Sequence, residues 1–255
     1  MVRLCLLLCV LFSALVAVGA RPALAGSERS ADGHLVRWDP GLDDMGRRAA
    51  RQIPLIDKQV QAALGFPLRG GPAEVVIIRG HERMQAEAGT AIPEWAGGVY
   101  LGGRSRIVLR ADRVEGAGLL RSMITTLRHE WVHLSWSRRA GAHHRRLPLW
   151  LEEGLAEEIG GGITVEGGVQ LDFAATFGKL IPFAEIATVW PEDAGRAALA
   201  YRQGRSFVQF FRDKSGWDHI QQILRVLADG GGVLEGPAAG TPFEEVVQQV
   251  SGLPL

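Results

Sequence analysis

The segment Leu127-Arg128-His129-Glu130-Trp131-Val132-His133 restricts this chain more than any other, because it carries the pattern His-Glu-x-x-His. On an α-helix, residues four apart lie on the same face one turn up, so His129 and His133 can aim both imidazoles at one ion. Zinc suits such a pair. Glu130 then stands beside the open coordination position as a candidate general base for a metal-activated water.

The flanking residues agree with a helix that has one side in a core and the other on a cleft. At roughly 100° per residue, Leu120, Ile124, Leu127, Trp131 and Leu134 fall in one apolar stripe, with His129 and His133 opposite. Ser122 and Thr126, beside the histidines, are small and leave room for an ion and a substrate.

A second helix is predicted from Pro148 to Ile159, with Pro near its first turn and Gly160-Gly161-Gly162 as its stop. Leu151, Leu155 and Ile159 form its apolar stripe, while Glu153 and Glu157 share the other face. It therefore offers carboxylates as further metal ligands.

Taken together, His129-Glu130-x-x-His133 and Pro148-x-Trp150-Leu151-x-Glu153-Gly154-x-Ala156-Glu157 resemble the Peptidase MA-like domain of the gluzincins. That group of zinc peptidases includes thermolysin and the membrane-alanyl-type aminopeptidases. The resemblance implies that Glu153, the Glu immediately before the Gly, is the third zinc ligand, and that its neighbour Glu152 is not. It also implies that Glu157 buttresses His129 from behind, fixing its tautomer and orientation. A metzincin layout would need Gly at 136 and His at 139, where this chain has Trp136 and Arg139. His143 and His144 fall in a basic loop that reads as a solvated turn between helices.

Arg3, the apolar stretch Leu4 to Val18 and Ala23-Leu24-Ala25 have the order of a cleavable signal peptide, with the cut expected between Ala25 and Gly26. The apolar run is shorter than the roughly 20 residues of a bilayer-spanning helix. The expectation is a secreted or periplasmic protein without a stable membrane span after cleavage. Both cysteines, Cys5 and Cys9, lie in that segment, so the mature chain has neither a disulfide nor a thiol ligand, which narrows any metal site to His and carboxylate. Cleavage removes Arg3 and Arg21 and no carboxylate, taking the balanced charge to −2. The remaining positive charge is spread along the chain rather than gathered into a strip, which argues against nucleic acid as a partner.

In chain order, strands are expected at His34–Trp38, Glu74–Arg79, Gly98–Leu101 and Arg106–Arg110, the last two as a hairpin whose edge an extended peptide can join. Tyr100 reads as packing. Helices are expected over 42–64, broken or restarted at Pro54, and over 81–88, where His81 reads as a surface or capping residue. Another hairpin is expected over 163–172, turning at Gly167-Gly168. Helices are expected again from 194 to 214, from 217 to 227, and from a Thr241–Glu244 capping box through Val250. In the resembling aminopeptidases a tyrosine of the downstream helical region donates a hydrogen bond to the oxyanion, which makes Tyr201 the candidate here.

The sequence therefore predicts an α+β, gluzincin-like zinc peptidase fold: a small mixed β-sheet, zinc-binding helices and a mostly helical C-terminal half. Residues 1–25 are the signal peptide, and 26–118 and 119–255 together make one catalytic unit. The expected activity is hydrolysis of peptide bonds in a polypeptide or peptide substrate, with zinc on His129, His133 and Glu153 and with Glu130 as general base. The chain lacks a Gly-x-Met-Glu-Asn-type motif for holding a free α-amine, which leans towards an endopeptidase. The alternative is a non-catalytic envelope binding protein that keeps a structural zinc on the same scaffold. A purely structural site has no use for Glu130, which favours the enzyme.

Overall fold

The computed structural model describes residues 24–114, 119–161, 165–229 and 242–253, without the side chains of 114, 119–122 and 165–168. The signal-peptide reading therefore lies almost wholly outside the described residues, as do Thr241 of the expected capping box and the side chains of Leu120 and Ser122.

Five strands, β1 (Gly26–Arg29), β2 (Leu35–Trp38), β3 (Glu74–Ile78), β4 (Gly98–Leu101) and β5 (Arg106–Arg110), form one sheet in the order β1-β2-β3-β5-β4. The sheet is mixed. β2, β3 and β5 run parallel, whereas β1 and β4 are antiparallel to their neighbours. Within β3 and β5 the residues Val75–Ile78 and Ile107–Leu109 are continuously apolar because both sheet faces are covered. Val75, Ile77, Ile107 and Leu109 join the main core, and Val76, Ile78 and Val108 pack with Met84 and Ala96 on the other face.

Helix α1 (Asp43–Leu64) covers the main face through Ala49, Ala50, Ile53, Ile56, Val60 and Leu64. It does not break at Pro54. A mid-helix proline costs about 3 kcal/mol, but buried Ile53 and Ile56 on either side of Pro54 hold both halves in the same core, and that burial prevails. Helices α2 (His81–Ala88) and α3 (Ala111–Val114) flank the sheet. The ring of His81 braces the following loop, with Nε2 on the Ile92 carbonyl at 2.6 Å and Nδ1 on Glu94 at 2.8 Å.

The helical half consists of α4 (Leu119–Ala140), α5 (Leu149–Gly160), α6 (Val165–Thr176), α7 (Ala194–Ser215), α8 (Trp217–Ala228) and α9 (Phe243–Ser251). Leu127, Trp131 and Leu134 of α4 are fully buried against the α1 side, where Trp131 Nε1 donates to Asp57 at 2.9 Å. The expected hairpin at 163–172 is incorrect: from Val165 the chain is helical. The described strands of the sheet all come from residues 26–110, and a hairpin that joins no sheet is marginal in water. Gln170, Leu171, Ala174 and Ala175 are good helix formers that carry the helix back over the glycines, and Arg202 of α7 reaches Gln170. Among the described residues no helix is long and apolar enough to cross a membrane.

Candidate metal centre and active-site cleft

Two helices place three ligand-type atoms at one point. Nε2 of His129 and Nε2 of His133 are 3.2 Å apart, and Oε2 of Glu153 lies 3.2 Å from the first and 3.3 Å from the second. A tetrahedral zinc ion with bonds of about 2.1 Å spaces its ligands about 3.4 Å apart. The triangle therefore fits zinc, and among the described residues these three form the group that could hold a metal ion. The donor set, two imidazoles and one carboxylate with a fourth side open to a cleft, is the chemistry of a catalytic zinc site rather than a closed structural one.

Each imidazole is held from behind by a carboxylate. Nδ1 of His129 faces Glu157 at 3.2 Å, and Nδ1 of His133 faces Glu152 at 2.8 Å. The sequence set Glu152 aside as a ligand; in the structure it stays outside the triangle and instead meets the outer nitrogen of the His133 ring, a contact the sequence did not reveal. Residue spacing did carry a signal: Glu152 and Glu153 are adjacent on a helix, so their side chains diverge by roughly 100°, and one can approach the outer ring nitrogen while the other faces the ion. Replacing Glu152 with Ala is expected to weaken zinc binding by about 10- to 100-fold. Competition against a chromophoric chelator measures this, and an unchanged affinity would remove Glu152 from the site.

The protein's own charges set the titration of the cluster. Burial opposes protonation of His129, but hydrogen bonds to Glu153 and Glu157 prevail and push its pKa up to about 10. His133 is likewise raised, against burial, by Glu153 and Glu152. Burial would raise Glu153, but the two histidines hold it below the usual carboxylate range. A metal ion binds neutral imidazole, so uptake at pH 7 must expel protons that the folded site holds. At least one proton per zinc is expected to be released, and affinity should rise with pH until His129 is deprotonated. Titration calorimetry in buffers of different ionisation enthalpy reads the number directly, and zinc uptake without proton release would contradict this balance.

Glu130, on the same helix between the two histidines, is 7 % exposed, and burial raises its pKa above the ordinary value while the neighbouring imidazoles pull it back. Edge strand β4 passes directly over it. A Cβ on Gly98 would lie 2.7 Å from Thr126 Cγ2 and 2.8 Å from Glu130 Oε1, so only glycine lets the strand come this close. The Tyr100 backbone hydrogen-bonds the Glu130 carboxylate. Tyr100 also lines the cleft, more than the packing role read from the sequence. Tyr201 of α7 stands across the cleft with its ring 5.9 Å from that of His129. Burial first, then Glu153, Glu130 and Glu157, raise its pKa well above the ordinary phenol value, which keeps it a neutral hydrogen-bond donor.

The cleft has a volume of about 580 Å³. His129, Glu130, His133, Glu153, Glu157 and Tyr201 all line it. His81, His143 and His144 do not. His143 and His144 lie in the 3-10 turn Gly141–Arg146, where the His144 carbonyl accepts the Trp136 indole N–H at 3.0 Å. Trp95 and Trp190 line the cleft too, and the sequence reading missed both. The available signal was a tryptophan within two residues of a proline in a short loop, Pro93-Glu94-Trp95 and Trp190-Pro191, where an aromatic has little reason to sit unless it borders a site.

The family model of the Peptidase MA superfamily matches residues 57–246. This chain belongs to the Peptidase MA superfamily. The match takes in the last part of α1, the sheet from β3 onward, both helices of the metal triangle and the first turn of α9. Membership accords with the mixed small sheet and the mostly helical remainder, and it supports a zinc peptidase type of function. No curated protein sequence matches this Peptidase MA chain. Among solved structures it is similar to native yeast LTA4 hydrolase, with a TM-score of 0.46 and 12% identity over 80% of this chain and 33% of that one. It is also similar to yeast LTA4 hydrolase in complex with bestatin, with a TM-score of 0.44 and 14% identity over the same shares. The Peptidase MA chain thus spans about a third of the length of these proteins.

Proposed function

We propose that this Peptidase MA protein is an exported zinc-dependent endopeptidase in which His129, His133 and Glu153 hold the metal and Glu130 is the general base. The observation that carries this reading is the 3.2–3.3 Å triangle of two imidazole nitrogens and one carboxylate oxygen. Glu130, which takes no part in that triangle, lies on the same cleft.

Zinc held there would polarise the scissile carbonyl and lower the pKa of a bound water towards about 7. Glu130 accepts the proton of the attacking water and passes it to the leaving amine, a task suited to a carboxylate whose pKa burial raises. The neutral phenol of Tyr201 donates to the developing oxyanion. Glu157 and Glu152 keep the rings of His129 and His133 turned towards the metal. An extended peptide pairs with the free edge of β4, and because Gly98-Val99-Tyr100-Leu101 carries no carboxylate to hold an α-amine, internal bonds are the expected targets. Export rests on the order of Arg3, the apolar stretch and Ala23-Leu24-Ala25, and a cut after Ala25 would leave β1, which starts at Gly26, intact.

The test is digestion of a denatured protein mixture by metal-loaded mature protein, with and without a chelator. Chelator-sensitive cutting at internal bonds is expected, with one zinc per chain. Chelator-insensitive cutting, or none at full zinc occupancy, would instead favour a non-catalytic binding module.

A further inference from the structure

We infer that this cleft selects peptides with a positively charged side chain next to the scissile bond, seated against Trp95, Trp190 and Tyr201 and attracted by Glu192. The inference rests on the peptidase reading and names the substrate class for the same cleft.

Charge is the first argument. The cleft is lined by Glu130, Glu152, Glu153, Glu157 and Glu192, and among the described lining residues there is no lysine or arginine. With both imidazoles neutral and a divalent ion bound, five carboxylates leave a formal charge of −3. That is more than one metal ion needs. In a concave site with low-dielectric walls this excess raises the local concentration of cations and repels anions.

Shape is the second argument. The rings of Trp190 and Tyr201 are 4.8 Å apart, Trp95 meets Tyr201 edge-on at 6.1 Å, and Tyr201 in turn meets His129, so this aromatic corner begins one ring from the metal triangle. Its two walls come from segments far apart in the chain and are tied together: the Trp95 indole N–H donates to the Glu192 carbonyl at 2.8 Å. The loop that carries Trp95 is itself fixed by buried Arg110, whose guanidinium donates to the Glu94 carbonyl at 2.8 Å. Glu157 and Glu152 are engaged by the imidazoles and Glu130 lies under β4, whereas the Glu192 side chain is exposed at the rim. Aromatic rings and a carboxylate lining one cleft favour guanidinium or ammonium over a neutral chain of similar length.

The test uses zinc-loaded protein and three internally quenched peptides that differ only at the positions flanking the cleaved bond, which hold Arg, norleucine or Glu. The Arg peptide should exceed norleucine by about tenfold in kcat/KM at low salt, with Glu lowest and the spread shrinking as salt is raised. Glu192→Gln should reduce the Arg-to-norleucine ratio about threefold, and Glu192→Asp should keep most of it. Equal rates for the three peptides, or a preference for norleucine, overturn the inference and leave the peptidase reading standing. If none is cleaved, the peptidase reading fails. Tryptophan fluorescence titration with the same peptides then decides the charge question: tighter binding of Arg upholds it, and equal binding overturns it.

Discussion

Replacing Glu130 with glutamine should lower kcat/KM by about 10³-fold while leaving one zinc ion per chain, the loss expected when a positioned base is removed. The substitution keeps the shape of the side chain under Gly98 and removes only the ability to accept a proton. The three ligand atoms belong to other residues and stay 3.2–3.3 Å apart, so the metal has no reason to leave. Rate and metal content must therefore separate. Wild-type rates in the variant would show that Glu130 is not the base, and loss of zinc would make it part of the metal's support instead. A binding module with structural zinc predicts a different result, because it has no rate to lose and Glu130 is replaceable in it.

Much of this arrangement is legible in the sequence, because helix periodicity is a local property. The phase of Leu127, Trp131 and Leu134 against His129 and His133 follows from roughly 100° per residue alone, and the short β-branched apolar runs within Glu74–Ile78 and Arg106–Arg110 read directly as strands. Long-range properties were not legible. Pro54 looks like a helix break until Ile53 and Ile56 are seen buried in the same core. Val165–Gln170 looks like half a hairpin until the segment is seen as the start of α6, packed on α7 rather than in the sheet. Glu152 looks redundant beside Glu153 until the ring of His133 is found between them, with Nδ1 on one and Nε2 on the other. Trp95 and Trp190 lie 95 residues apart in a chain whose fold brings both against Tyr201.

The close approach of α5 and α7 is equally invisible in the sequence, and it carries the second large effect. Gly204→Ala should destabilise the fold by about 2–3 kcal/mol, the upper range for overpacking a tight interface, and weaken zinc binding with it. A Cβ at Gly204 would stand 2.3 Å from the Trp150 carbonyl oxygen, and one at Gly154 would stand 2.4 Å from the Gly204 carbonyl oxygen. These are backbone atoms, so no rotamer change relieves the contact and the helices must move apart. Alanine favours a helix over glycine by about 1 kcal/mol, which offsets only part of that strain. Glu153 adjoins Gly154, and Tyr201 lies one turn before Gly204, so separating the helices pulls the third ligand and the oxyanion donor away from His129 and His133 together. Gly195→Ala in the same helix is the control, since its nearest neighbour would be Asp193 Oδ1 at 3.4 Å, an ordinary contact. Urea unfolding should show the control at or above wild-type stability and Gly204→Ala well below it, with zinc affinity following the same order. If Gly204→Ala matched the control in both, glycine-mediated contact between α5 and α7 would not be what sets the metal triangle.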